Sequence, residues 1–322
     1  MRDSPGLAES DSHPYESDPE AEGAQLTMVT DVKARVRKMN GLGNEIVVLD
    51  ARALELKLVA DQVKAIAADS RTIFDQLMVL RPPELPETLA RIEIFNRDGS
   101  VAGACGNGMR CVALSEYLDN GTASQLYQTS AGLLSARVDS PDAITVNMGE
   151  PKFEWGQIPL REAFADTTRI ELQAGPIDRP ILHSPSVCNV GNPHAVFWVD
   201  DVDSCELDRV GPLLEHHPIF PEQANISIAQ ILSNAHVKVR TWERGAGLTR
   251  ACGSAACAVA VCGARLGKLG RQSTISLPGG DLSIEWTAKN MILMTGPAVL
   301  ESEGQILFGA DGAPRYAAME NL

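Results

Sequence analysis

Two segments of the sequence each place a cysteine before a glycine and a small or polar residue, at the start of a run typical of a helix. The first cysteine is Cys105, in the run CGNG, and the second is Cys252, in the run CGSA. A helix N-terminus carries unpaired N–H groups and a partial positive charge, so it favours a thiolate and can bind an anion. We therefore predict two thiols with a pKa below the usual value of about 8.5, each beside a cradle for a carboxylate.

The two cysteines belong to an internal repeat. Four features recur in the same order at offsets of 147–149 residues: Gly43-Asn44 with Gly191-Asn192, Gln76 with Asn225, Asn96-Arg97-Asp98-Gly99 with Glu243-Arg244-Gly245, and the cysteine segments themselves. Two halves related by a pseudo-two-fold axis would place their thiols opposite each other. One thiol could then remove a proton from a carbon while the other delivers a proton to its opposite face. This chemistry indicates a cofactor-independent racemase or epimerase.

Short apolar and β-branched runs predict many strands and few helices. The predicted strands cover residues 45–52, 74–81, 91–99, 133–139, 143–149, 193–201, 225–232, 235–245, 273–280, 282–287 and 291–296, and the predicted helices cover 108–121 and 254–267. Consecutive strands favour an α+β fold with antiparallel sheet over a nucleotide-binding arrangement. Gly/Pro turns in MGEP and TGPA close the two copies, which gives domains at 33–149 and 150–298.

Composition narrows the class of partner. The net charge is −14, which argues against nucleic acid or an anionic membrane as partner. Residues 1–32 are acidic, rich in Ser and Pro and poor in large apolar side chains, so we predict a disordered tail that is neither a signal nor a transit peptide. Without an apolar run of 18 residues the sequence predicts a cytoplasmic protein that does not span a membrane.

Other uses of the candidate residues stay open at this point. A lone cysteine at a helix start is commonly inert packing, and Cys111, Cys257 and Cys262 are expected in the core. His194 alone would be a turn or core histidine, and Glu243 could form a solvated ion pair. The seven cysteines and six histidines lack zinc-ligand spacing, and the sequence has no flavin, nicotinamide or P-loop fingerprint. We therefore expect neither a metal nor a cofactor.

Six segments carry a resemblance to a known family. They are MNGLGNEIVVLD (39–50), FDQ (74–76), FNRDGSVAGACGNGMRC (95–111), GNPHAVFWVDDVD (191–203), FPEQANISI (220–228) and WERGAGLTRACGSAACA (242–258). In this order they closely resemble diaminopimelate epimerases, over about residues 35–310. The resemblance implies two similar domains, each with strands wrapped around a central helix, an active site in the cleft between them, and a last strand near 299–311 that returns to the first domain.

The same resemblance implies a function and a set of site residues. The family interconverts L,L- and meso-diaminopimelate in lysine and peptidoglycan biosynthesis, without pyridoxal phosphate or metal. Cys105 and Cys252 would be the acid/base thiols, and His194 and Glu243 would tune their ionisation. The residues that would bind substrate are Asn44, Gln76, Asn96, Gly106, Asn107, Asn192, Asn225, Glu243, Arg244, Gly253 and Ser254.

Two alternative functions remain. Proline racemases and hydroxyproline epimerases share the architecture and the paired cysteines, but their segments typically read CGHG and DRSPCGTG, where this chain has CGNG and LTRACGSA. A thiol redox or metal-binding module would instead bind zinc or cycle with a disulfide. The substrate is expected to be a small molecule. A homodimer is expected only because the resemblance to the family implies one.

Overall fold

The structure is a computed structural model that describes residues 32–309 and 312–318. The predicted disordered tail at 1–32 lies outside these residues except for Val32. The helices are α1 (Ala60–Ala68), α2 (Gly106–Asn120), α3 (Leu207–Glu215) and α4 (Gly253–Arg265), with a 3-10 turn at Val202–Ser204. The strands are β1 (Val32–Gly41), β2 (Asn44–Asp50), β3 (Gln76–Arg81), β4 (Arg91–Asn96), β5 (Ser124–Thr129), β6 (Gly132–Ser140), β7 (Ala143–Asn147), β8 (Gln173–Ala174), β9 (Leu182–His183), β10 (Ser186–Asn189), β11 (Pro193–Trp198), β12 (Asn225–Ser233), β13 (His236–Glu243), β14 (Gly247–Leu248), β15 (Gln272–Leu277), β16 (Gly280–Trp286), β17 (Ile292–Gly296), β18 (Val299–Phe308) and β19 (Pro314–Ala318).

The strands of the two halves pair in the same order. In the first half the order is β7-β6-β5-β4-β3-β2-β1, and in the second half it is β17-β16-β15-β13-β12-β11-β10. The parallel pairs also correspond, with β2–β3 and β4–β5 matching β11–β12 and β13–β15. This repeated order confirms the predicted α+β fold of two similar halves. The sheet is mixed, however, and not purely antiparallel as the sequence suggested.

The two halves are joined along one pair of strands. β7 pairs with β17, and at this junction the Thr145 and Thr295 hydroxyl oxygens lie 2.8 Å apart. β18 pairs with β1, so the chain returns to the first half after completing the second. The junction therefore couples two equivalent strands, as expected near a pseudo-two-fold axis. The bounds of the two domains remain a prediction.

Helices α2 and α4 are the central helices of the two halves. Helix α2 contacts β1, β2, β3, β6 and β7, and α4 contacts β10, β11, β12, β15, β16 and β17. Almost every residue of α4 is alanine, valine, cysteine or glycine, and most are fully buried. Small side chains let the surrounding strands approach the helix on all sides. The two helices also contact each other, and one apolar cluster extends around them through both halves.

The start of α2 is two residues earlier than predicted, and this difference has a local cause. Cys105 is the N-cap residue, and its sulfur accepts a hydrogen bond from the backbone N–H of Gly108 at 3.1 Å. This bond draws Gly106 and Asn107 into the first turn. At the other end Gly121 adopts a left-handed conformation with φ of 72°, and its N–H bonds to the carbonyl of Tyr117. The cysteine thus belongs to the cap of the helix.

Among the described residues, none of the helices has the length and apolar character needed to cross a membrane.

Candidate active site

Both sequence-predicted thiols lie at the N-terminus of a central helix, and the two N-termini are close together. Cys105 caps α2 and Cys252 caps α4. The side-chain amide of Asn107, in the first turn of α2, donates a hydrogen bond to the carbonyl of Ala251 at 3.2 Å. A single side chain, that of Met294, lies against Gly106 and also against Gly253. The fold therefore brings the two cysteine segments to one place.

The glycines beside the thiols let two methionine side chains pack closely against the first turns of the helices. A Cβ atom on Gly106 would come within 2.5 Å of the Met294 methyl and within about 3.0 Å of the Met148 sulfur. A Cβ atom on Gly253 would lie 3.0 Å from the sulfur of Met294. Glycine at both positions adds no side chain beside the backbone N–H groups of each first turn, which are the groups that bind an anion at a helix N-terminus. The two methionines form the apolar side of the site.

The predicted lowering of the thiol pKa values is wrong for both cysteines. Burial raises the pKa of the Cys105 thiol to about 11, against smaller opposing contributions from the Gly108 N–H and the Arg110 charge. Burial also raises the pKa of Cys252, which is 4% exposed, well above its usual range. The helix N-termini favour the thiolates, but the loss of water around each sulfur has the larger effect. Both thiols are therefore neutral near pH 7.

Further thiols are fully buried in the core, and they predict a loss of stability at high pH. Burial raises the pKa of Cys111 and of Cys257 from 9.0 to about 12, so the folded state keeps each proton after the unfolded chain has lost it. The stabilisation is complete below pH 9 and is lost as pH rises from 9 to 12, by about 1.4 kcal/mol per pH unit for each thiol. Urea unfolding at several pH values checks this. The variant Cys257→Ala should show a shallower decline, and an unchanged slope would contradict the assignment.

Glu243 is the charged group shared by the two thiols. Its carboxylate accepts a hydrogen bond from the Thr249 hydroxyl and also contacts the Cys252 thiol. Burial raises its own pKa, and its negative charge raises the pKa of both Cys105 and Cys252. Ser254 acts in the opposite direction on Cys252, with its hydroxyl oxygen 3.5 Å from the sulfur. Glu243 thus opposes thiolate formation in the substrate-free protein.

His194 is buried beside Asn192 and Arg244. Its Nε2 lies 2.8 Å from the Oδ1 atom of Asn192. Burial, with a smaller effect of the nearby Arg244 charge, lowers the pKa of His194 to about 3, so the imidazole is neutral. Among the hydrogen bonds of the described residues, none joins His194 to either thiol. The expected tuning of the thiols by His194 therefore stays a prediction.

Arg244 is held by its backbone, while its side chain is exposed. Its N–H donates to the Oδ1 atom of Asn225 at 3.0 Å, and its guanidinium donates to the carbonyl of Glu222 at 2.9 Å. The amide of Asn225 also donates to the carbonyl of Pro193 at 3.1 Å, so both ends of this amide are bonded within the protein. Asn225 thereby fixes the turn that carries Glu243 and Arg244.

The first half supplies a second group of amides. Gln76 and Asn96 lie opposite each other on β3 and β4, with the Gln76 amide nitrogen 3.5 Å from the Asn96 oxygen. Asn44 donates to Asp75 at 3.3 Å. The adjoining Gly43 lies against the side chain of Arg250, which belongs to the second half. These contacts bring the first-half amides to the side that faces the second half.

Several buried polar atoms have no hydrogen-bond partner within the described residues. Three belong to predicted site residues: Asn44 Oδ1, Asn107 Oδ1 and His194 Nδ1. A buried polar atom without a partner costs about 1–3 kcal/mol, so such atoms mark positions where a ligand or water binds. They fit a polar small molecule. In the same part of the chain, no group of three or more His, Cys, Asp or Glu side chains is arranged to hold a metal ion.

Glu215 supports the site, although no motif or repeat in the sequence marks it. It lies at the end of α3 and is 4% exposed. One carboxylate oxygen accepts the indole N–H of Trp242 at 2.6 Å, and the other accepts the N–H of Gly245 at 2.8 Å. These two bonds flank Glu243 and Arg244 in the chain. Glu215 therefore holds both ends of the turn that presents them.

Replacing Glu215 by glutamine is expected to raise KM for the substrate about tenfold, with a smaller change in kcat. Glutamine has a single acceptor oxygen, so one of the two buried charge-assisted bonds must be lost and the turn loosens. Steady-state kinetics of the variant check this. Glu222→Gln, an exposed change in the adjacent loop, is the matched control. Equal KM values for both variants and the native chain would contradict the role of Glu215.

Comparison with known proteins agrees with this geometry. The family model for diaminopimelate epimerase matches residues 36–154 and 186–301. The chain is 57% identical over 276 residues to a diaminopimelate epimerase of Afipia carboxidovorans, covering 85% of this chain and 94% of the relative. It is 59% identical over 271 residues to one of Bradyrhizobium sp. strain BTAi1, covering 83% and 93%. The chain belongs to the diaminopimelate epimerase family.

Solved structures with this fold include enzymes outside the diaminopimelate epimerase family. A hydroxyproline epimerase from Agrobacterium vitis superposes with a TM-score of 0.59 at 14% identity, covering 87% of this chain and 94% of that one. A phenazine biosynthesis protein of the PhzF family from Enterococcus faecalis gives a TM-score of 0.60 at 12% identity, covering 85% and 99%. At such identities the likeness shows the fold alone. As a member of the diaminopimelate epimerase family, the chain is an isomerase.

Proposed function

We propose that this chain interconverts L,L- and meso-diaminopimelate by proton transfer between Cys105 and Cys252 at one α-carbon. The observation that carries this proposal is the pair of cysteines at the N-cap positions of two adjoining helices. Each cysteine is followed by a glycine that adds no side chain beside the backbone N–H groups of the first turn. Family membership supports the choice of substrate.

The proposed reaction needs one thiolate and one thiol, so one of the two thiols, both neutral in the substrate-free protein, would lose its proton once substrate is bound. The thiolate takes the α-proton and becomes a thiol, and the opposite thiol gives its proton to the other face of the carbon and becomes a thiolate. No net proton or electron is consumed, so the reverse reaction uses the same two groups in exchanged roles. The first turns of α2 and α4 would hold the α-carboxylate and stabilise the negative charge that develops as the proton leaves.

The distal amino-acid end of the substrate would be held by the remaining polar groups. We propose that Arg244 pairs with the distal carboxylate, because its side chain is exposed near the buried His194, which lies beside the half-buried Asn192. Asn44 and Asn107 would use their unpartnered Oδ1 atoms to accept hydrogen bonds from the ammonium groups or from bound water. The amides of Gln76 and Asn96 would line the side of the substrate site that the first half provides.

A substrate panel tests the proposed reaction against its nearest alternatives. The purified full-length chain is incubated with L,L-diaminopimelate, L-proline or trans-4-hydroxy-L-proline, and the stereoisomers are separated by chiral chromatography. Conversion of diaminopimelate alone supports the proposal. Conversion of proline or hydroxyproline without conversion of diaminopimelate would replace it by the proline racemase alternative. Zinc binding or thiol–disulfide cycling with no conversion of any substrate would indicate the redox or metal-binding class.

Three broader features also belong to the proposal. The domains are taken as 33–149 with a returning strand near 299–311, and 150–298. The chain is taken to act in the cytoplasm, as its composition predicts, and to form a homodimer, as the resemblance implies. Light scattering of the full-length protein at several concentrations tests the dimer, and a mass equal to one 34.5 kDa chain at every concentration would contradict it.

A further inference from the structure

The β1–β2 turn of the first half packs against the β15–β16 turn of the second half. Leu42 and Gly43 form a two-residue hairpin loop in which both residues have positive φ, 61° and 85°. A leucine rarely adopts such a conformation, and it persists only where the surrounding structure enforces it. A Cβ atom on Gly279 would overlap the Leu42 carbonyl oxygen, and one on Gly280 would lie 2.7 Å from the Leu42 Cδ2 atom. The two turns are therefore in direct contact across the two halves.

This contact between the turns extends to the two residues that precede Cys252. The N–H of Gly279 donates to the carbonyl of Arg250 at 2.8 Å. The side chain of Arg250 lies against Gly43, with its Nε atom 3.5 Å from the position that a Cβ atom would take there. The carbonyl of Ala251 accepts a hydrogen bond from a side chain in the first turn of α2, at 3.2 Å. Both halves thus hold the segment that leads into the N-cap of α4.

The corresponding place beside Cys105 is open. The residues at the repeat offset of 147–148 from this contact are three glycines, and a Cβ atom on any of them would meet no other described residue within 4 Å, apart from its chain neighbours. They are Gly191 for Gly43, Gly132 for Gly280 and Gly103 for Arg250. Exposure agrees with this difference, because Cys105 is half-buried and Cys252 is 4% exposed. The two thiols are therefore equivalent in the repeat but are held differently.

We propose that Leu42, Gly279 and Arg250 are positioning residues for Cys252, because the turn of the first half holds the entry to α4 and keeps the Cys252 sulfur beside the N-terminus of α2. The positioning itself is a property of the substrate-free protein, and only the use made of the thiol rests on the proposed function. In the proposed reaction a displaced Cys252 would slow proton transfer at one face of the α-carbon, since small displacements of a reacting group are costly.

Alkylation of the thiols in the absence of substrate tests the positioning of Cys252. The full-length native protein and Gly279→Ala are treated with iodoacetamide at the same pH, and tandem mass spectrometry quantifies the modification of each cysteine over time. The added Cβ atom must displace Leu42, which frees the entry to α4. Alkylation of Cys252 is therefore expected to become about tenfold faster, while that of Cys105 stays within about twofold of the native rate.

Two comparisons separate positioning from a general loss of stability. Gly270→Ala is the matched control, because the nearest atom to a Cβ there is 3.6 Å away, and this variant should leave all rates unchanged. The core thiols Cys111 and Cys257 should stay protected in Gly279→Ala, since unfolding would expose them together with Cys252. An unchanged rate at Cys252, or an equal rise at Cys252 and the core thiols, would overturn the proposal.

Arg250→Ala is a second variant, which also covers the case in which Gly279→Ala does not fold. It removes an exposed side chain from Gly43 and leaves the backbone bond to Gly279 in place. Alkylation of Cys252 should become about threefold faster, with the rate at Cys105 unchanged. A native rate at Cys252 in this variant would overturn the proposal.

Steady-state kinetics connect the positioning of Cys252 to the proposed reaction. Gly279→Ala should lower kcat for diaminopimelate about tenfold and change KM by less than about threefold, because the displaced thiol affects proton transfer more than substrate binding. A native kcat together with an exposed Cys252 would overturn the proposal. Since the alkylation assay contains no substrate, a chain that fails to convert diaminopimelate can still show selective exposure of Cys252. Failure of the proposed function is therefore distinguishable from failure of the positioning.

Discussion

Cys105→Ala and Cys252→Ala are each expected to reduce epimerisation by about 10⁴-fold or more, because each variant lacks one of the two groups that exchange protons with the α-carbon. The loss should be of similar size in both reaction directions, since every turnover uses both thiols. Steady-state assays from L,L- and from meso-diaminopimelate check this. Circular dichroism should show the native fold in both variants, because alanine fits in the space of a cysteine.

Cys205→Ala is the control for the loss of a thiol as such. Cys205 is buried in a separate apolar cluster of the second half, away from the helix N-termini. This variant should keep the native rate to within about twofold, as expected of a change outside the reacting groups. Near-native turnover by Cys105→Ala or by Cys252→Ala would contradict the two-thiol mechanism. The double variant should be no slower than either single variant, since residues that act as a unit are not additive.

Arg244→Gln is expected to lower kcat/KM for diaminopimelate about 10²-fold, mainly through KM, because the distal carboxylate loses a charged partner. Glutamine retains hydrogen-bond donors but has no charge. Arg244→Lys should recover part of the loss, since it restores the charge without the bidentate geometry. The backbone bond from residue 244 to Asn225 is retained in both variants. Steady-state kinetics with diaminopimelate check this, and kcat/KM should fall in the order native chain, Arg244→Lys, Arg244→Gln.

The control for Arg244 is Lys238→Gln, an exposed cation earlier on β13 that pairs with Asp203. It should leave kcat and KM unchanged. A native KM for Arg244→Gln would show that Arg244 does not bind the distal carboxylate of the substrate. Another cation would then have to bind that carboxylate. Arg250 is the next residue to examine, because it lies against Gly43 where the two halves meet.

The repeated elements of the fold were predictable because each carries a strong local signal. Every predicted strand overlaps an observed strand, and both predicted helices are the central helices of their halves. The match of Gln76 with Asn225 also holds in three dimensions. Gln76 pairs in parallel with Ile46 on the neighbouring strand, and Asn225 pairs in parallel with His194. A repeat of residue types at a fixed offset thus corresponded to a repeat of strand pairing.

Other features depend on tertiary contacts that a local pattern does not contain. Strand β1 was not predicted, although the alternation of apolar residues at 32, 34 and 36 with Lys33, Arg35 and Arg37 is typical of a strand. Arg35 and Arg37 bind Asp119 from helix α2. Helices α1 and α3 were likewise missed, since each is short and mostly polar along its exposed face. Parallel pairing inside a mixed sheet is also set by crossovers that no single segment reveals.

Some features of the candidate site could likewise be predicted from the sequence, and others could not. The thiols, the glycines and the amides were predictable because they follow the repeat. The ionisation of the thiols was not, because the helix N-terminus can be read from the sequence whereas the depth of burial cannot. Glu215 acts through bonds to Trp242 and Gly245, which are distant from it in sequence. The role of its charge became interpretable only when these partners were known.

The most direct test of the two-thiol account is the reaction of L,L-diaminopimelate in D2O at low conversion. The product is followed by mass spectrometry and by proton NMR at the α-carbon. The account predicts that the first meso-diaminopimelate formed carries one solvent deuterium at the inverted carbon, while the remaining L,L-diaminopimelate is still undeuterated, because one thiol removes the proton and the other delivers a deuteron. Product that retains the original hydrogen, or equal early deuteration of both isomers, would contradict it.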